Sequence, residues 1–366
     1  MYNDKKVIDV HAHMSAPLHF RGYAMSMIAI RTPSEQKAPV IPQDAMDKVL
    51  DRHLRMLDER DIDIQLISPR PVAMMQWERP FIVEPWSRVT NDLIHQQCQW
   101  HPTRFVGIAQ LPQTAGLNID ACCAELERAV DKLGFVGAII NPDPNADGLS
   151  PGMDDPAWFP LYERAEQLDA TLVVHPSISR DPRIERIPHN FQFNNLKEET
   201  LATLLLENSD VFDKFPKLRI VICHCGGHLR RIIDVGQVID ASQPSRGPDN
   251  VVGRTGEQRG GSGGTFVHDD TLHRDCADNL FFDTCAYDPW FLSTAIRQRG
   301  VDRMVFGSEA PGSGSSQLNP VTGKPSDDVV ALIDSFDFLT TEQKTTIMHD
   351  NPRRIFPLLN KVPGLL

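Results

Sequence analysis

Lys6-Val-Ile-Asp-Val10 runs straight into His11-Ala-His13. A short apolar run ending in histidines reads as a buried strand that delivers polar side chains at its carboxyl end. The pattern returns along the chain. Ile62–Ser68, Phe105–Leu111, Gly137–Asn141, Thr171–His175, Leu218–His224, Leu280–Asp283 and Met304–Ser308 read the same way, which makes eight strands. Helical patterns at Asp44–Glu59, Val83–Trp100, Ile119–Lys132, Ala157–Leu168 and Pro289–Arg299 lie between them. Continuous apolar strands alternating with amphipathic helices predict an α/β fold, a (β/α)₈ TIM barrel formed as one domain over residues 1–366. A doubly wound sheet shows the same alternation, but the count of eight and the polar strand ends favour the barrel.

Two stretches break the alternation. Residues 18–41 are too long for an ordinary βα loop of about 2–6 residues and read as a lid over the barrel mouth. Residues 241–274 contain Gly260-Gly-Ser-Gly-Gly264 and read as a flexible, glycine-rich insertion before the seventh strand. These glycines do not form a phosphate loop, because no Gly-Lys-Ser/Thr follows them.

Composition removes several classes of function. The 366 residues are 41% hydrophobic and 23% charged, enough for a large core and unlike a disordered chain. Lys+Arg 37 against Asp+Glu 49 gives a net charge of −12, which argues against nucleic acid or an anionic membrane as the main partner. There is no signal-peptide pattern at the start and no run of about 18 apolar residues. The seven cysteines are an odd count in a long chain, so a disulfide framework is not expected. A cytoplasmic protein with reduced thiols is the expectation.

The chemistry gathers at the strand ends. His11 and His13 are two apart, so strand alternation puts both imidazoles on one face. His175 ends Thr171-Leu-Val-Val-His175 and His224 ends Ile220-Val-Ile-Cys-His224. A lone histidine after an apolar run is usually a satisfied core residue, but three strands of eight ending in histidine are harder to set aside. Glu309 follows Met304-Val-Phe-Gly-Ser308 and adds a carboxylate from the last strand. Neutral imidazoles with a carboxylate suit one divalent ion, zinc first and manganese as the alternative. Arg70, after the second strand, could hold a substrate carboxylate with its two-pronged guanidinium or form a rim salt bridge. Tyr23, His189, Asn194 and Tyr287 are weaker candidates for substrate contact, since residues in such places more often pack or face solvent. Cys285 reads as a small buried thiol and His228 as a helix-start residue. Cys223 and Cys225 flank His224 and are expected to point opposite to it.

These residues resemble the amidohydrolase superfamily, in the branch that holds aminocarboxymuconate-semialdehyde decarboxylase, 4-oxalomesaconate hydratase and the zinc-dependent C–C hydrolase of lignin biaryl catabolism. The resemblance spans almost the whole chain. Its anchors are Asp9-Val-His-Ala-His13, Leu66-Ile-Ser-Pro-Arg-Pro71, Asn141-Pro-Asp-Pro144, Val174-His175, His224-Cys-Gly-Gly227, Phe282-Asp-Thr-Cys285 and Phe306-Gly-Ser-Glu-Ala-Pro-Gly312. Where the superfamily at large carries aspartate, this chain has Glu309, as in the hydratase and the C–C hydrolase. The fourth strand ends Ile139-Ile-Asn-Pro-Asp143, without the lysine that binuclear relatives carboxylate, which favours a single ion.

The resemblance implies a metal held by His11, His13, His175 and Glu309, with His224 and Glu309 handling protons. It implies an enzyme that adds water to an unsaturated keto-acid from aromatic ring cleavage, by hydration or by C–C hydrolysis. Non-oxidative decarboxylation of an aromatic or unsaturated acid is the alternative, and a non-catalytic metal-binding barrel is the reading from another class. A small carboxylated substrate and a homodimer are the expected partners.

Overall fold

The computed structural model describes residues 1–29, 32, 41–188, 190–229 and 276–365. Eight strands form one parallel sheet in sequence order, so each strand pairs with the next through a crossover connection. They are β1 (Ile8–His13), β2 (Ile64–Ser68), β3 (Phe105–Gln110), β4 (Gly137–Ile140), β5 (Thr171–Val174), β6 (Ile220–Ile222), β7 (Leu280–Asp283) and β8 (Met304–Val305). Backbone bonds join the last strand region to the first: Val10 N donates to Phe306 O at 2.9 Å and Glu309 N to His11 O at 2.7 Å. The sheet is therefore a (β/α)₈ barrel, and a doubly wound sheet is excluded.

Every strand residue is buried, as expected when helices cover the outer face and side chains fill the inner one. The period of two sorts the residues. Ile8, Val10, Ile64, Leu66, Val106, Ile108, Val173, Val221, Phe281 and Val305 form one cluster with Ile355, Phe356 and Leu359 of the C-terminal segment. Because that cluster draws on strands all round the sheet, it is the barrel interior, and the C-terminal residues plug its floor. Leu172, Val174, Ile220, Ile222, Leu280, Phe282 and Met304 belong instead to the larger cluster shared with the helices.

The helices that matter for the site are α1 (Leu18–Ala29), α2 (Gln43–Glu59), α3 (Pro80–Trp100), α4 (Ile119–Leu133), α5 (Phe159–Leu168) and α6 (Asn190–Glu207). The segment expected as a lid thus begins as a helix, whose Phe20 stacks on Trp86 of α3 at 4.7 Å between ring centroids. Its residues 30–31 and 33–40, and the whole 241–274 insertion, lie outside the described residues. Helix α6 was not expected. It lies outside the helical patterns read from the sequence, and its start, Asn190-Phe-Gln-Phe-Asn-Asn195, carries no clean amphipathic pattern.

Candidate metal centre

At the carboxyl ends of the strands, His11, His13 and His175 lie with ring centroids 5.0–5.4 Å apart. One donor atom from each, with one oxygen of Glu309, falls within 4.8 Å of all the others. The local backbone explains how they converge. The pairing of β1 with β2 shifts register between Asp9 and Ala12. Val10 faces the interior, so a regular strand would turn His11 outward. The irregularity re-aims the histidines toward the centre, which is what a bulge does near functional sites.

Each of the three histidines has its Nδ1 engaged. His11 Nδ1 meets Asp283 Oδ2 at 2.6 Å, and His175 Nδ1 meets the Pro176 carbonyl at 2.6 Å. His13 Nδ1 meets Ser68 Oγ at 3.0 Å, and that hydroxyl spends its proton on the Ala12 carbonyl at 2.8 Å. All three partners therefore accept, so all three imidazoles carry a proton on Nδ1 and turn Nε2 toward the centre. Those Nε2 atoms are buried without a hydrogen-bond partner. An unsatisfied buried polar atom costs about 1–3 kcal/mol, so three aimed at one point call for an ion. Burial, with the charges of neighbouring groups, holds His13 and His175 well below the usual imidazole range, which keeps them neutral and able to ligate. The donor set fits a divalent transition metal, and the carboxylate and carbonyl partners behind it are the supports such ligands commonly have.

Glu309 reaches this cluster from a left-handed backbone, φ 58°, pinned by its N–H to His11 O. Its Oε1 stands 3.8 Å from His13 Nε2. Its Oε2 accepts the Tyr287 hydroxyl at 3.0 Å and stands 4.0 Å from His224 Nε2. His224 also requires a left-handed turn, φ 48°, since β6 stops at Ile222 and regular alternation would send it outward. The expectation for its flanking cysteine is corrected by the same geometry. Cys223 faces the interior, with its thiol within 4.8 Å of donor atoms of His11 and Asp283.

His224 Nδ1 lies 2.6 Å from Glu199 Oε1. Burial opposes charge on this imidazole, but Glu199, Glu309 and Asp283 together raise it to about 10. Burial raises the Glu199 carboxyl to about 7, even with His224 beside it. Asp283 is buried too, yet the His11 contact holds it below the usual carboxylate range.

The structure places the remaining candidates unevenly. Arg70 is exposed at the rim and donates one N–H to the Pro311 carbonyl at 3.1 Å, two residues from Glu309. Tyr287 joins the site through Glu309. Tyr23 is 7% exposed on α1 with its ring beside Trp86 at 6.3 Å, and Asn194 on α6 donates to the Ser177 carbonyl at 3.3 Å. His189 lies outside the described residues. The sequence reading missed Asp9, Ser68, Glu199 and Asp283. Buried Asp9 accepts from His11 N, Ser308 N, Ser308 Oγ and Gln65 Nε2, tying β1 to β2 and to the segment that follows β8.

Gly307 is what lets His11 and Asp283 meet. A Cβ there would stand 2.8 Å from His11 Cβ and 3.0 Å from Asp283 Cβ. Gly307→Ala is expected to displace that pair and lower metal affinity by about 10–100-fold, as loss of an outer partner does. Competition with a chelator measures it, with circular dichroism confirming the fold. Unchanged affinity would contradict the role given to the His11–Asp283 contact.

The sequence profile of the amidohydrolase family matches residues 8–358. The chain is 29% identical to a 2-keto-4-carboxy-3-hexenedioate hydratase of Sphingobium sp., over 97% of each chain. It is 32% identical to a gamma-resorcylate decarboxylase of Rhodococcus jostii, over 49% of this chain and 56% of that one. Among solved structures, 4-oxalomesaconate hydratase from Rhodopseudomonas palustris superimposes with a TM-score of 0.76 at 28% identity, covering 97% of both chains. A dihydroxybenzoic acid decarboxylase from Polaromonas sp., crystallised with manganese and 2-nitroresorcinol, shares the fold with a TM-score of 0.65 at 21% identity over 97% of both.

Proposed function

Because the chain belongs to the amidohydrolase family, we propose that it is a metal-dependent hydratase that adds water across the conjugated double bond of an unsaturated keto-acid derived from aromatic ring cleavage. The observation that carries this reading is the three-histidine, one-carboxylate donor set with a second imidazole–carboxylate pair, His224 and Glu199, on its open side. Similarity to two hydratases along nearly the full chain supports the reaction class.

An ion held by His11, His13, His175 and Glu309, zinc in this reading and manganese as the alternative, would supply Lewis-acid polarisation and ease the ionisation of water. The chain's own groups do the rest. Arg70 keeps donors beyond the one spent on Pro311 and grips a substrate carboxylate at the rim. Glu309, held by the Tyr287 hydroxyl, takes the proton of the attacking water as oxygen bonds to the β-carbon. The electron pair moves to the keto oxygen, where His224, fixed by Glu199, stabilises the enolate and returns a proton to the α-carbon.

Decarboxylation is the second reading, favoured by the decarboxylases that align with about half of the chain. A panel of ring-cleavage keto-acids and hydroxybenzoates, offered to metal-analysed protein, separates the two. Hydration predicts loss of the conjugated absorbance with no carbon dioxide; carbon dioxide release from any of them supports decarboxylation.

Arg70 has its own test. Arg70→Ala is expected to lower kcat/KM about 10²-fold or more, in line with the 2–5 kcal/mol lost when a bound charge pair is broken, while metal content stays intact. Lysine should rescue poorly, because a point charge lacks the paired donors. An alanine variant with unchanged kcat/KM rejects the assignment.

A further inference from the structure

Glu309 turns its two oxygens toward different neighbours. Oε1 faces His13 Nε2 at 3.8 Å, within the four-donor set. Oε2 faces His224 Nε2 at 4.0 Å and Cys285 Sγ at 3.8 Å. The donor atoms of Cys285, His224 and His11 also fall within 4.8 Å of one another. We infer that His224 Nε2, Cys285 Sγ and Glu309 Oε2 form a second, weaker site for a soft divalent ion such as zinc, bridged to the first by Glu309, and that filling it inhibits the enzyme.

Tetrahedral zinc with bonds of about 2.0–2.3 Å sets its ligand atoms roughly 3.3–3.8 Å apart, so separations of 3.8 and 4.0 Å need shifts of only a few tenths of an ångström to close on an ion. His224 is prepared as a ligand would be. Its Nδ1 is tied to Glu199 as that of His11 is tied to Asp283, which turns Nε2 toward Glu309 as a ligand would be turned. Carboxylate-bridged metal pairs stand about 3.5–4 Å apart, a spacing that fits two donor sets sharing one glutamate. A thiol selects zinc over manganese or magnesium. On binding, the Cys285 S–H and His224 Nε2–H bonds break, both protons leave to solvent, metal–sulfur and metal–nitrogen bonds form, and the Tyr287 hydroxyl gives up Oε2. The ion then occupies both groups assigned to proton handling. Binding follows from the geometry alone, whereas inhibition rests on the proposed roles of His224 and Glu309.

The test starts from protein carrying one equivalent of metal and adds cobalt, then zinc. The second equivalent of cobalt is expected to bring near-ultraviolet thiolate-to-cobalt absorption. Cys285→Ser and Cys285→Ala should keep the first equivalent, lose that absorption and bind the second zinc more than about tenfold less tightly, since a direct ligand is worth at least as much as an outer partner. Excess zinc, but not excess manganese, should lower wild-type turnover, and the variants should resist it. Absence of the absorption in wild-type protein, or an unchanged second affinity in either variant, overturns the site. Thiolate absorption without loss of turnover overturns the inhibition and counts against the roles given to His224 and Glu309, while the ion site itself stands.

Discussion

Glu309→Gln lowers kcat by about 10²–10⁴-fold, the range that loss of a positioned acid–base group typically costs. Glutamine keeps the length and one oxygen of the side chain but cannot accept the proton of an attacking water. The position tolerates little else. The backbone at Glu309 is left-handed, an uncommon state for a non-glycine residue, and it is held by the bond from its own N–H to the His11 carbonyl. Metal analysis separates the two roles. An inactive variant that keeps its ion assigns Glu309 to proton transfer; one that loses the ion assigns it to ligation as well. Normal turnover would leave Glu309 a rim residue and remove the acid–base half of the mechanism.

His175→Ala empties the metal centre and takes turnover with it. The residue stands at the end of β5 with Nδ1 on the Pro176 carbonyl and Nε2 aimed at the other donors without a partner. Alanine removes one of the three imidazoles that face the ion directly, a larger loss than that of an outer partner, which alone costs about 10–100-fold in affinity. The expected result is protein that melts as a cooperative unit, carries far less than one equivalent of metal after dialysis, and shows no turnover above background. Full metal occupancy in this variant would mean that the ion sits elsewhere, and the donor set would need redrawing around His224.

The barrel was legible in the sequence because burial on both faces writes each parallel strand as an apolar run, and eight such runs were present. The four side chains that gather in the candidate metal centre were legible for a related reason, since a polar residue directly after such a run sits at the strand's carboxyl end. What escaped was long-range pairing. Glu199 reaches His224 from the middle of α6, 25 residues away in sequence, and no local pattern marks it. Asp283 ended a strand that had been identified, yet its contact with His11 spans 272 residues and depends on the absence of a side chain at Gly307. His224 itself faces the site only because the strand gives way to a left-handed turn, whereas alternation assigns the inward place to Cys223. Tyr23, a weak candidate for substrate contact, has its ring beside Trp86 in the packing of α1 on α3, the commoner use of a residue in such a place.

Addition of water to a carbon–carbon double bond at this site leaves a solvent oxygen in the product. Turnover of an unsaturated ring-cleavage keto-acid in heavy-oxygen water, read by mass spectrometry, tests it most directly. The expected product is heavier than the substrate by one water, with the heavy oxygen bonded to carbon and no carbon dioxide evolved. A product lighter by carbon dioxide, with no oxygen gained from solvent, would contradict it.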